Sequence, residues 1–227
     1  MGHAFEGTEE IEVPASVEDV WQAIATGPGI DSWFMGRNEV ANGQVKLAFG
    51  EYQPTHEITA WDPPHHFKQE SDKEADGRFI AYEFMVEGRD HGSTVLRMVT
   101  SGFLPGEDWA DEFEAMTLGG ALFWRTLVEY LNFFPGRTAR PLTVFGPVVS
   151  DWDEAWKKID EAIAEKLPGA VVFHRNDHTL GLRTERGMYR FLRGFFGPMI
   201  AAHHVFDGDE SEQDWQRWLD ITLGEKK

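Results

Sequence analysis

A chain of 227 residues without a single cysteine must be held together by its own apolar core, so disulfides, thiolate nucleophiles, cysteine-bearing zinc sites and sulfur redox chemistry are excluded. Its 39 acidic and 21 basic side chains leave a net charge of -18, which opposes association with phosphate backbones or anionic lipid. The first residues lack a basic start and an apolar run, and no window reaches the ~18 apolar residues of a membrane span; a soluble, cytoplasmic protein is expected, with neither nucleic acid nor membrane as a partner.

In chain order, Thr8 to Val13 alternates polar and apolar residues and reads as a strand that Pro14 closes. Ser16 can accept a helix-opening amide, with Asp19 at capping-box spacing, and Val17, Val20, Trp21 and Ile24 form an inward stripe. A first helix therefore starts at Ser16 and ends at Gly27-Pro28-Gly29. A short second helix over 30–34 carries Trp33 and Phe34, and Gly36 restarts an extended chain.

Period-two runs follow around Val45, Leu47 and Phe49, Ile58 and Ala60, Phe67 and Gln69, Ile80 to Val86, and Leu96 and Met98. Asn42-Gly43, Pro63-Pro64, Asp76-Gly77 and His91-Gly92 separate them, which is the punctuation of antiparallel hairpins. The run from Phe79 to Val86 is apolar on both faces, so periodicity leaves its inward face open. Asp108 to Phe134 then repeats Trp109, Phe113, Met116, Gly120, Phe123, Trp124, Leu127 and Leu131 at helical spacing and reads as a long helix closing the sheet.

Pro135-Gly136, Pro141 and Gly146-Pro147 mark a linker over 137–149 between a domain 1–136 and an extension 150–227. Ser150 is expected to cap a helix reaching about Leu167, with Trp152, Trp156, Ile159 and Ile163 on one face and Pro168-Gly169 as its stop. Strands are expected at 170–174, 179–183, 188–192 and 199–206. Ser211 then opens a last helix that docks Trp215, Trp218 and Leu219 on them. The fold class is α+β: a curved antiparallel sheet around a long helix, with a small α+β extension packed on it.

The phrase Val13-Pro-Ala-Ser-Val-Glu-Asp-Val-Trp21, the pair Trp33-Phe34, the turn Trp61-Asp-Pro-Pro64 and the long helix resemble one family: the START-like superfamily, also called SRPBCC or birch-pollen-allergen-like, in the branch named after the chaperone ATPase activator. The resemblance covers about 5–134. It implies a helix-grip fold, with an apolar small molecule between sheet and helix in many members. Some members are polyketide cyclases and others sequester reactive natural products. It carries no shared catalytic motif, so no catalytic residue follows from it.

The ring set Trp33, Phe34, Phe49, Trp61, Phe67, Tyr82, Phe84, Phe113 and Trp124, joined by Met98, Met116 and Gly120, is the expected ligand lining; about a third of the rings reach a ligand and the rest are core. Gly119-Gly120 costs about 1 kcal/mol per glycine inside a helix, which calls either for space for a ligand or a close backbone approach, or for tight helix-to-sheet packing or a kink. Packing or a kink is slightly favoured. The pairs His65-His66, His203-His204 and His174 with His178 invite a metal reading, but adjacent strand residues face opposite ways and 175–177 reads as a turn. No metal and no cofactor are expected. Glu57, Glu83, His56 and Arg97 are acid-base candidates, though a lone strand carboxylate in so acidic a chain belongs first to the solvent face.

Three functions are weighed. Binding or sequestration of a hydrophobic small molecule, polyketide-like or lipid-like, leads. A cyclase or aromatase that shuttles protons through a strand carboxylate or histidine comes second, and a co-chaperone-like module that docks a basic protein through the Trp-rich extension comes third. Homodimerisation is compatible with all three.

Overall fold

The structure is a computed structural model that describes residues 2–107, 109–194 and 197–224, apart from the Asp111 side chain. The chain divides into two compact units, Met1–Thr138 and Ala139–Lys227.

The first unit runs β1 (His3–Val13), α1 (Val17–Ala25), α2 (Gly27–Ile30), β2 (Arg37–Ala41), β3 (Gln44–Ala48), β4 (Thr55–Asp62), β5 (His66–Ser71), β6 (Phe79–Gly88), β7 (Thr94–Leu104) and α3 (Trp109–Phe133). Its seven strands form one antiparallel sheet in the order β1-β7-β6-β5-β4-β3-β2, so only β1 pairs out of sequence, with β7. Ser16 caps α1 as its sequence requires: Oγ accepts the Asp19 amide at 3.1 Å and donates to the Asp19 carboxylate at 2.9 Å. The second helix lies earlier than 30–34. Thr26 Oγ1 accepts the Gly29 amide at 3.1 Å, and Pro28 sits in the first turn, where no amide hydrogen is needed, so Gly27-Pro28-Gly29 opens a helix instead of only ending one. Trp33 and Phe34 sit in the turn that follows. Strand β1 also begins before Thr8, because its whole length pairs with β7.

Asn42 and Gly43 both take positive φ, 53° and 76°, which is the backbone of a two-residue hairpin joining β2 to β3. Register resolves the two-faced strand β6. Phe84 stands opposite Phe67 and Met98, Tyr82 opposite Gln69 and Thr100, and Val86 opposite Leu96. Ile80, Tyr82, Phe84 and Val86 thus share the inner face, while Glu83 projects outward to His66 Nε2, 2.8 Å away.

Helix α3 is seated unevenly. From Leu122 onward Leu122, Trp124, Leu127, Val128, Tyr130 and Leu131 are buried, whereas no described side chain between Trp109 and Ala121 is. The expected first residue, Asp108, lies outside the described residues.

The second unit contains β8 (Arg140–Val148), α4 (Trp152–Lys166), β9 (Val171–Arg175), β10 (Thr179–Arg183), β11 (Gly187–Arg193), β12 (Pro198–Val205) and α5 (Glu212–Leu223). A second antiparallel sheet orders them β8-β12-β11-β10-β9. The expected linker 137–149 is therefore mostly strand. Pro141 and Pro147 mislead because β8 is an edge strand, where a missing amide donor leaves no ladder bond unmade on the open side. Asp151, not Ser150, caps α4 by accepting the Glu154 amide at 3.0 Å. Ser211 caps α5 in a full capping box with Asp214. Both helices cover one sheet face, burying Ile159, Ile163, Trp215 and Leu219 against Leu180, Phe191, Met199 and Ala201.

Candidate functional site

The rings expected to line a pocket separate into three groups. Trp33, Phe67 and Phe84 are closed core: Trp33 donates its indole N–H to Ala23 O at 2.9 Å, and Phe67 and Phe84 are stacked 6.2 Å apart. Trp61 flanks them, edge-on to Trp21 at 5.2 Å and to Phe67 at 5.8 Å, with half its surface in solvent. Phe113 belongs to a second group at the start of α3, with Phe5 at 5.5 Å and with Trp109, which stacks on His3 at 4.0 Å. This group ties the first turns of α3 to β1, the far edge of the sheet.

The third group lies at the centre of the inner sheet face. Phe34 meets Tyr82 edge-on at 6.0 Å and Phe123 of α3 at 4.9 Å, so the helix, the turn after α2 and the sheet converge there. His56 stacks parallel to Tyr82 at 6.0 Å with planes 14° apart. Gln69 on β5 stands opposite Tyr82 of β6 and opposite Ile58 of β4, on the same face as Phe67.

His56 and Gln69 are only 9% and 8% exposed, yet neither side chain makes a hydrogen bond to any described residue. Their polar atoms are nevertheless not sealed off, so water or a ligand can reach and bond them. Burial pulls the His56 pKa below the ordinary imidazole value and raises that of the Tyr82 hydroxyl, so near neutral pH both are uncharged. Together they offer a flat aromatic wall with neutral donors and acceptors at its edge.

Of the remaining expected residues, Met98 and Met116 are half-buried, Phe49 is half-buried and bridges to Tyr52, and Trp124 is buried. Gly120 is exposed. A Cβ built on Gly119 or on Gly120 meets nothing within 4 Å, so close helix-to-sheet packing does not explain the pair. The acid-base candidates separate too. Glu57 accepts a hydrogen bond from Gln44, Glu83 pairs with His66 and Lys68, and Arg97 pairs with Glu10, all on the outer face. His56 alone faces inward. The sequence reading omitted Gln69 and Phe123 from the site. Gln69 had one visible signal, since it follows Phe67 at the period-two spacing that fixes the inner face.

Most of these histidine rings are otherwise engaged. His65 Nδ1 lies 3.2 Å from Val86 O, and His174 Nε2 lies 3.1 Å from Thr179 Oγ1. His203 is packed between Phe191 and Trp215, its Nδ1 accepting the Arg190 amide at 3.1 Å. Among the described residues no three histidine, aspartate or glutamate side chains are grouped to hold a metal ion. Among the described residues no helix is long and apolar enough to cross a membrane.

Seven antiparallel strands, two short helices after the first strand and a long final helix make the first unit a helix-grip fold. Solved structures similar to the chain include the Aha1 dimer from Colwellia psychrerythraea (21% identity, TM-score 0.46, covering 56% of this chain and 96% of that one). Two others are CalU16 from Micromonospora echinospora (15%, TM-score 0.42, 58% and 86%) and a norcoclaurine synthase mutant from Thalictrum (15%, TM-score 0.43, 58% and 96%). No protein-family model and no curated protein matches the chain.

Proposed function

We propose that the first unit binds a small molecule with a flat apolar body and one or two polar groups, held between the inner sheet face and α3. The observation that carries this reading is the pair His56 and Gln69, deeply buried beside Tyr82 and Phe34 without protein partners. Burying ~300 Å² of ligand at about 25 cal/mol per Å² yields roughly 7 kcal/mol, and association costs at least about 4 kcal/mol of that. The remainder supports only millimolar affinity. Hydrogen bonds to these two side chains add about 1 kcal/mol each and bring binding toward the micromolar range. Sequestration or carriage of a polyketide-like molecule fits this balance better than that of a fatty acid, whose ionised carboxylate only accepts hydrogen bonds and leaves the acceptor atoms of His56 and Gln69 unmet.

The test is thermal stabilisation of the full chain across a set of hydroxylated polycyclic aromatics and a set of fatty acids. The aromatics raise the Tm in a saturable way, and Gln69→Leu removes at least half of that rise. Silence from both sets, or a response to fatty acids alone, contradicts the reading. His56 favours a second reading, since a neutral inward imidazole can accept a proton from a bound phenol or enol. Conversion of a stabilising aromatic to product, abolished in His56→Phe while binding persists, makes the protein an enzyme of the cyclase type; unchanged ligand after prolonged incubation leaves it a binder.

A further inference from the structure

A groove of about 770 Å³ lies in the second unit, between one face of α4 and the turn joining β9 to β10, well within the size range of ligand-holding clefts. Its walls are fixed by three independent ties. Arg175 grips Asp160 with two bonds of 2.7 and 2.8 Å, Trp156 donates its indole N–H to Asp177 O at 3.1 Å, and Asn176 Oδ1 accepts both the His178 amide and the Thr179 hydroxyl. The floor is aromatic. Trp152 and Trp156, one helical turn apart, lie 6.1 Å from each other with planes 38° apart, both half-buried.

The rim is polar, and much of it is uncommitted. The Arg193 guanidinium lies 4.9 Å over the Trp152 ring, and it makes no hydrogen bond or ion pair with a described residue; neither do the His178 ring or the carboxylates of Asp153 and Glu161. Four carboxylates face three permanent cations around the groove. A phosphate or carboxylate ligand meets more repulsion than attraction there, and a cation meets Arg193 and Lys157. A neutral ligand rich in hydroxyls suits the mixture, because each hydroxyl both donates to a carboxylate and accepts from Arg193 or His178. The indole floor matches the apolar face of a saturated ring.

We infer that this groove is a binding site for a neutral sugar, one or two rings long, laid on Trp156 beside the Arg193-covered Trp152 and held at its hydroxyls by Asp153, His178 and Arg193. The site is independent of the sheet-and-helix site of the first unit. Titration calorimetry of the full chain with cellobiose, maltose, phenyl β-glucoside and glucose 6-phosphate tests it. The neutral sugars give saturable heats, Trp156→Leu weakens them at least about tenfold, and the exposed changes Arg193→Gln and Asp153→Asn each weaken them several-fold without lowering the Tm. Tighter binding of phenyl β-glucoside than of either disaccharide assigns the sugar to a small-molecule glycoside, and the reverse order assigns it to a glycan. Absence of a saturable heat from every neutral sugar, tighter binding of glucose 6-phosphate, or undiminished binding by Arg193→Gln and Asp153→Asn overturns the inference.

Discussion

Gln69 interrupts an apolar inner face between Phe67 and Tyr82, and its side chain makes no hydrogen bond to a described residue. Removing such a group tests whether it serves the fold or a ligand. Gln69→Leu and His56→Phe are expected to leave the urea midpoint unchanged or raise it, by up to about 1 kcal/mol each, while weakening ligand binding. A loss above about 1 kcal/mol in either variant would show a structural role. In sequence, the period-two spacing from Phe67 placed Gln69 on the same face as that ring, but alternation alone did not say that this face is the inner one. His203 is more fully enclosed: its Nδ1 accepts the Arg190 amide and Trp215 packs on the ring, while its Nε2 is buried without a hydrogen-bond partner among the described residues. Burial, with Arg190 and Lys166 adding to it, holds its pKa well below the ordinary value. Above pH ~6.5 the ring is neutral in both folded and unfolded chains; as the pH falls below that, only the unfolded chain takes up the proton, so stability declines. His56 acts in the same direction. The urea midpoint should fall from pH ~6.5 to ~5, and His203→Gln should flatten the fall although it lowers stability at pH 7. An unchanged slope would mean that the ring protonates without unfolding.

Among the elements, α3 carries the most functional meaning. Its second half is anchored by buried Leu122, Leu127 and Leu131, while its first half is fixed at the sheet edge through Trp109 and Phe113. Between those anchors stand Gly119 and Gly120, where an added methyl meets open space. Gly120→Ala is therefore expected to stabilise the chain by up to about 1 kcal/mol, read as a rise in the urea midpoint, and a destabilisation would reveal a close neighbour absent from this geometry. Hairpins at Asn42-Gly43 and Asp76-Gly77 were legible because turn chemistry is local. Helix α2 and strand β8 were not. In both cases a proline reads as a breaker while its place in the fold, a first helical turn or a sheet edge, makes it harmless. The capped helices α1 and α5 were legible down to Ser16 and Ser211, because a cap is written within four residues.

For the whole molecule, the aromatic content that drew attention in the sequence is divided among several tasks: one ring group closes the core, one fastens a helix, one borders the candidate site, and two indoles floor a groove in the second unit. Composition could not apportion them, since a core ring and a ligand-facing ring differ only in what lies across from them. The account stands on His56 and Gln69 facing a ligand. NMR observation of the Gln69 side-chain amide and the His56 ring during titration with a stabilising aromatic tests this most directly. Both signals are predicted to shift and saturate together with the thermal effect, with Phe34 and Tyr82 ring signals moving alongside; saturation with the Gln69 and His56 signals unmoved would place the ligand elsewhere and contradict the account.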